Sequence, residues 1–212
     1  MKIICITGFS GSGKSKATDM FVENLPNSAA VMGSLFLRHS APLFKKEFEE
    51  IFEMTLDMEH PEDSLREGVN KSAAQHRAYM DVIGSYIENE INTAIKNAEE
   101  NGCEYFIVDW IELPILEIWK KADYRIMIDA QDDVRTYHLA NRRNGRSENA
   151  MKFYSERTSQ IRKDTFREAL VNAKGVDYLI FNEYDEHLKN EVEYLCQKIV
   201  MEKPLLLPLD PQ

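Results

Sequence analysis

One stretch near the start of the chain, Gly8 to Ser15, has residue types and spacing suited to binding phosphate. It reads Gly-Phe-Ser-Gly-Ser-Gly-Lys-Ser and matches G-x-x-x-x-G-K-[ST] without deviation. Glycines let backbone N–H groups turn inward around a phosphate, while the lysine reaches the outer phosphates and the last hydroxyl ligates magnesium. The pattern predicts an ATP and magnesium site in which Ser15 is a metal ligand, Lys14 is also catalytic, and the nucleotide contacts come from Gly8, Ser10, Gly11, Ser12, Gly13, Lys14, Ser15 and Lys16.

The flanks of this loop are those that a phosphate site requires. Lys2 to Thr7 is a short β-branched run, which predicts a strand. A helix is expected from Lys14 to about Asn24, ending before Pro26. The positive end of that helix would then face the bound phosphates.

A second acidic element follows a later apolar strand. Tyr105 to Val108 predicts this strand, and Asp109 follows it directly. An Asp at the end of such a strand helps to hold magnesium, so we predict Asp109 as a catalytic residue and a metal ligand. Glu112 is close enough in sequence to be a second acid of the site, but an exposed turn residue is the simpler interpretation.

The remaining elements predict an α/β fold. Further strands are expected at Ala29 to Met32, Tyr124 to Ile128 and Val176 to Phe181, with helices between them. Such alternation is typical of a parallel sheet with right-handed crossovers. We therefore predict a P-loop NTPase three-layer sandwich with a five-stranded parallel sheet, formed by residues 1–212 as a single domain.

A helical substrate subdomain is expected at about residues 35–101. One helical pattern covers Leu35 to Met58, and another ends at Asn101-Gly102. The sequence Ser64-Leu-Arg-Glu67 has the spacing of a capping box, which predicts the start of the second helix, and Gly84 is a possible break in it. The tail, 203–212, contains three prolines and is expected to be extended.

The charge distribution predicts a basic lid. The net charge is −10, but residues 135–167 hold nine Lys or Arg against three acids, so this segment carries +6 and the remainder −16. A lid is expected at about 139–165, where Arg142 and Arg143 would be catalytic and Arg146 would bind the nucleotide. The acidic remainder argues against nucleic acid and membranes as partners.

Two further classes of protein are disfavoured by the sequence. A GTPase needs an NKxD motif, and Asn70-Lys71-Ser72-Ala73 lacks the Asp. Three scattered cysteines, with no CxxC pair, argue against a disulfide framework or a zinc site. They favour a reducing cytoplasm, and no apolar run reaches the ~18 residues that span a bilayer.

Taken together, these motifs resemble those of the dephospho-coenzyme A kinases. The resemblance rests on Ile3 to Ser15, on Asp109 followed by Pro114-Ile115-Leu116, on Arg142-Arg143-Asn144, and on Asp177-Tyr178-Leu-Ile-Phe-Asn182. In their lid helix the family has an Arg and a Gln, for which Arg157 and Gln160 are candidates. The resemblance implies transfer of the ATP γ-phosphate to the 3′-hydroxyl of dephospho-coenzyme A, with Asn182 as a nucleotide contact.

This sequence departs from that family on the acceptor side. The family carries Asp-x-Asp after the second strand, where this chain reads Val31-Met32-Gly33-Ser34. The family's His-Pro pair is replaced by Gly84-Ser85, and Lys16 stands where the family has Thr. Two other readings therefore stay open: a kinase of nucleosides or nucleotides, whose loop resembles that of uridine kinases, and a nucleotide-binding protein without useful catalysis.

Overall fold

Five parallel strands form the sheet at the centre of the molecule. The structure is a computed structural model that describes residues 1–141 and 175–202, together with Ala169 and Ala173. The order across the sheet is β2-β3-β1-β4-β5. The strands are β1 (Lys2–Thr7), β2 (Ser28–Met32), β3 (Tyr105–Asp109), β4 (Tyr124–Asp129) and β5 (Tyr178–Phe181). This arrangement confirms the predicted α/β class, and each strand lies where the sequence placed it to within two residues.

Helices connect the strands and cover both faces of the sheet. The helices of the described residues are α1 (Lys14–Asn24), α2 (Gly33–Leu43), α3 (Lys45–Phe52), α4 (Pro61–Val69), α5 (Ala73–Glu100), α6 (Glu117–Lys121), α7 (Asp132–Asn141) and α8 (Asp185–Met201). A 3-10 turn at Leu113–Ile115 precedes α6. Four of these helices, α2 to α5, fill the chain between β2 and β3.

Strand periodicity divides the apolar residues between two cores. Ile4 and Ile6 of β1 belong to the core on the α1 and α8 face, while Cys5 belongs to the core on the α5 face. Alternate residues of a strand point to opposite faces, so one short run of apolar residues supplies both cores. The result is the predicted three-layer sandwich.

The helical stretch after β2 differs from the sequence prediction. Instead of one helix over residues 35–58, α2 ends at Leu43, Phe44 has φ −117° and ψ 25°, and α3 begins with the next residue. Glu53 takes a left-handed conformation, with φ 50° and ψ 47°, and ends α3. The apolar pattern alone could not show these breaks.

The predicted capping box was wrong. Ser64 lies inside α4, where its Oγ accepts a hydrogen bond from the Asp57 N–H at 3.0 Å. The cap of α5 is Ser72, whose Oγ accepts from the Gln75 N–H at 3.1 Å. Ser72-Ala-Ala-Gln75 has the same capping spacing, and α5 then runs through Gly84 without a break.

Two predicted segments lie outside the described residues. Most of the lid prediction (139–165) and the tail (203–212) fall there. Among the described helices, none combines the length and the apolar character needed to cross a membrane.

Candidate active site

The phosphate loop joins β1 to α1, as its sequence pattern predicts. Gly11 and Gly13 have φ values of 83° and 100°, in the left-handed region that glycine tolerates best. There is also no room for a side chain. A Cβ on Gly11 would lie 2.6 Å from the Arg135 carbonyl oxygen, and one on Gly13 would lie 2.5 Å from Asn182 Nδ2.

Two carbonyl groups of the loop, those of Phe9 and Ser12, accept hydrogen bonds from side chains. Lys14 Nζ donates to the Phe9 carbonyl at 3.1 Å. Asn182 is completely buried, and its Nδ2 donates to the Ser12 carbonyl at 2.9 Å. The structure therefore places Asn182 against the back of the loop, and its contact with the nucleotide stays a prediction.

The two carbonyl groups between them, those of Ser10 and Gly11, are bonded by side chains of α7. Arg135 is buried, and its Nε donates to the Ser10 carbonyl at 3.1 Å. The Arg135 guanidinium carbon also lies 5.1 Å from the centre of the Phe9 ring. His138 Nδ1 lies 2.9 Å from the Gly11 carbonyl oxygen, and the ring is the donor because a carbonyl can only accept.

Four successive carbonyl groups of the loop thus accept hydrogen bonds from side chains. We call the four donors the carbonyl clamp, and they are Lys14, Arg135, His138 and Asn182. Carbonyl oxygens repel phosphate, whereas backbone N–H groups attract it. Hydrogen bonds to these four carbonyl groups therefore favour the loop conformation that presents backbone N–H groups to an anion.

Ser15 and Asp109 meet at the end of the loop. The Ser15 hydroxyl donates to Asp109 Oδ2 at 3.1 Å, and Asp109 is buried. Residues 94 positions apart in sequence are thus brought together as the motif predicts. The described residues contain no cluster of three or more His, Cys, Asp or Glu side chains that would hold a metal alone. A magnesium ion at Ser15 and Asp109 would therefore take its other ligands from phosphate oxygens and water.

The residues of the loop fit a nucleotide phosphate. The Ser12 hydroxyl is buried and has no hydrogen-bond partner within the described part of the chain. A buried hydroxyl without a partner is costly, and a phosphate oxygen would satisfy it. Lys14 and the N-terminus of α1 supply the positive charge that an anion needs there.

Of the other predicted nucleotide and lid residues, the structure describes Lys16. Lys16 forms an ion pair with Asp185 of α8, with 2.5 Å between Nζ and Oδ2, and both side chains are partly exposed. Arg142, Arg143 and Arg146 lie outside the described residues, as do Arg157 and Gln160.

Three residues near the site were missed or misread from the sequence. Arg135 was counted among the basic residues of the lid segment, but it is buried against the loop. His138 was missed, although its spacing places it on the same face of α7 as Arg135. Glu112 was expected to be an exposed turn residue, but it is 7% exposed and lies 3.1 Å from His76.

Solved structures of other proteins share this fold. TT1252 from Thermus thermophilus superposes with a TM-score of 0.64 and 13% identity, over 95% of this chain and 97% of that one. The shikimate kinase of Acinetobacter baumannii, in complex with shikimate, has a TM-score of 0.50, 15% identity and 96% coverage of both chains. The dephospho-CoA kinase of Campylobacter jejuni, at 14% identity over 95% and 96% of the chains, has a TM-score of 0.45, a likeness too loose to bear on function.

No protein-family model matches the chain, and no curated protein matches it in sequence. Structural likeness at these low identities shows the fold alone. The chain has the P-loop NTPase three-layer fold that its sequence predicts.

Proposed function

We propose that this protein is an ATP-dependent kinase that transfers the γ-phosphoryl group to a small-molecule acceptor. The observation that carries the proposal is the contact between Ser15 and Asp109, with Lys14 in the same loop. Magnesium, when bound there, would neutralise charge on the transferring phosphate. Phosphoryl transfer depends mainly on positioning and charge neutralisation, which this set of residues supplies.

The acceptor proposed first is dephospho-coenzyme A, phosphorylated on its ribose 3′-hydroxyl. The sequence motifs support this acceptor. One of them, Asp177 to Asn182, contains β5 and ends at Asn182, which is bonded to the loop. Helices α2 to α5 would bind the acceptor, and Arg142, Arg143 and Arg146 would close over the phosphates. The three cysteines are all free thiols, which supports a cytoplasmic location.

A nucleoside or nucleotide acceptor is the second candidate. The observation in its favour is Gly33, at the end of β2, where the dephospho-coenzyme A kinases carry Asp-x-Asp. A Cβ at this position would lie 2.1 Å from Trp110 Cδ1, so the Trp110 indole occupies the space of any side chain at position 33. The third candidate, an ATP-binding protein without useful catalysis, rests on the same missing carboxylate.

The test is ATP consumption by the purified protein with magnesium over a panel of acceptors. The panel contains dephospho-coenzyme A, nucleosides, nucleoside monophosphates and shikimate. Lys14→Ala should abolish the activity, while Lys96→Ala on the exposed face of α5 should leave it unchanged. Tight ATP binding with no Lys14-dependent turnover on any acceptor would contradict the proposal and favour the third candidate.

A further inference from the structure

Two ionisable side chains are buried together outside the phosphate loop. His76 lies in the first turn of α5, and Glu112 lies in the turn that follows β3. They are 3% and 7% exposed, and His76 Nε2 is 3.1 Å from Glu112 Oε1. The ring is not oriented for a hydrogen bond to this oxygen. Among the described residues, His76 Nε2 therefore remains a buried polar atom without a hydrogen-bond partner.

The buried His76 Nε2 gains no hydrogen bond within the described residues that would offset its burial. Burying a carboxylate and an imidazole costs free energy, and apolar side chains of similar volume are often as stable or more stable. A buried polar atom left without a hydrogen bond is costly too, and a polar group of a ligand would remove that cost. The pair thus has the character of a binding site for a hydrogen-bonding group.

The turn that carries Glu112 is fixed against the start of the phosphate loop. The Trp110 N–H donates to the Ile6 carbonyl at 3.2 Å, and the Thr7 hydroxyl donates to the Ile111 carbonyl at 2.9 Å. Thr7 directly precedes Gly8, the first residue of the loop. Glu112 therefore follows a backbone segment that is bonded to the residues just before the phosphate loop, and it lies three positions beyond Asp109.

The pair lies on the opposite side of the loop from α7 and β5. In the sheet, β3 and β2 are on one side of β1, and β4 and β5 are on the other. The clamp residues Arg135, His138 and Asn182 follow β4 and β5, whereas Glu112 follows β3 and His76 belongs to α5.

The end of β2 cannot supply a carboxylate at position 33. The Trp110 indole fills that space, with its Cγ 2.2 Å from where a Cβ on Gly33 would be. Glu112, two residues after Trp110, is then the next acid after Asp109 in the turn that follows β3.

We propose that Glu112 receives the acceptor hydroxyl and that His76 positions it, an inference that rests on the proposed kinase function. The acceptor oxygen forms a bond to the γ-phosphorus. The bond from the γ-phosphorus to the β,γ-bridging oxygen breaks, and ADP leaves with that electron pair. The hydroxyl proton passes to the Glu112 carboxylate and then to water.

The proposed role of Glu112 also restricts the class of acceptor. A neutral hydroxyl must lose its proton during the transfer, whereas a phosphate oxygen is already ionised and needs no base. The acceptor group is therefore an alcohol, such as a ribose hydroxyl, and the phosphate of a nucleoside monophosphate is excluded as the acceptor group.

The experiment compares Glu112→Gln with Glu117→Gln, whose exposed side chain pairs with Lys120. We expect Glu112→Gln to lower turnover about 100- to 10,000-fold, with Mg·ADP affinity and thermal stability unchanged. Glu117→Gln should behave as the wild type. His76→Leu should lower turnover up to about 100-fold without changing the KM for ATP, and His76→Gln, which keeps a donor, should recover part of it.

Each result decides between the two proposals. Wild-type activity that survives Glu112→Gln within about threefold would overturn the role of Glu112 and leave the kinase function standing. Loss of turnover together with loss of Mg·ADP binding would show a structural role only and would also overturn it. Wild-type turnover on nucleoside monophosphates alone would overturn the alcohol class, and no turnover on any acceptor would overturn both proposals.

Discussion

The Ser15 hydroxyl donates to Asp109 Oδ2 over 3.1 Å, and this bond joins the start of α1 to the end of β3. If both groups hold magnesium, Asp109→Asn keeps the shape of the side chain but removes its charge. Magnesium should raise the ATP affinity of the wild type, and we expect this gain to be about 10- to 100-fold smaller in Asp109→Asn. That range corresponds to the loss of one hydrogen bond or ligand contact to a charged group. Calorimetric titration of ATP with magnesium and with a chelator measures this gain.

The matched control for that prediction is Asp123→Asn. Asp123 pairs with Lys2 at the opposite end of the sheet, with 2.8 Å between Nζ and Oδ1. It should bind ATP as the wild type does. An Asp109→Asn protein that gains as much from magnesium as the wild type would show that Asp109 is not a metal ligand.

Arg135 offers a test of the carbonyl clamp. Arg135→Leu removes the hydrogen bond to the Ser10 carbonyl and the contact with the Phe9 ring. Each interaction contributes about 1 kcal/mol, so ATP affinity should fall about 30-fold because the loop is no longer held in its binding conformation. Arg77→Leu, on an exposed position of α5, is the control. Unchanged ATP affinity in Arg135→Leu would mean that the clamp is not needed to order the loop.

Two glycine substitutions should change stability in opposite directions. Gly33→Ala would place a Cβ against the Trp110 indole, and we expect a loss of about 1–3 kcal/mol in the free energy of unfolding. Gly84→Ala lies inside α5 with no atom within 4 Å, so it should gain about 0.5–1 kcal/mol from helix propensity. Urea denaturation measures both. Equal stability of the two variants would contradict the packing of Trp110 over Gly33.

The three thiols should differ in reactivity. Burial raises the pKa of Cys5 and of Cys196 to about 12, whereas Cys103 is partly exposed. The thiolate is the reactive form, and at pH 8 a thiol with such a pKa is ionised in about one molecule in 10,000. Brief treatment of the folded protein with iodoacetamide should therefore modify Cys103 alone, as peptide mass spectrometry would show. Modification of Cys5 at the same rate would contradict its burial.

The sequence predicted the elements whose signals are local. The glycine pattern and its flanks placed β1, the loop and α1 where the structure has them, because turn geometry and apolar periodicity act over a few residues. The start of α5 was placed wrongly because Ser64 and Ser72 begin sequences with similar capping spacing. A tertiary contact of Ser64 with Asp57 decided between them.

The parts of the site that the sequence did not reveal depend on distant contacts. Arg135 binds Ser10 across 125 positions, and no local pattern distinguishes it from the other basic residues nearby. Glu112 follows a strand in the manner of an exposed turn residue, but the folded chain buries it and brings it close to His76 of α5. Such pairings arise from the topology of the sheet and its crossovers, which bring these segments together.

The most direct test is mass-spectrometric detection of a phosphorylated acceptor, because ATP consumption alone also reports hydrolysis. The wild-type protein would be incubated with ATP, magnesium and dephospho-coenzyme A, with Lys14→Ala and Lys96→Ala in parallel. We expect coenzyme A to accumulate with the wild type and Lys96→Ala and to be absent with Lys14→Ala. If dephospho-coenzyme A and every other acceptor of the panel stay unmodified while ATP binds, the proposed kinase function is contradicted.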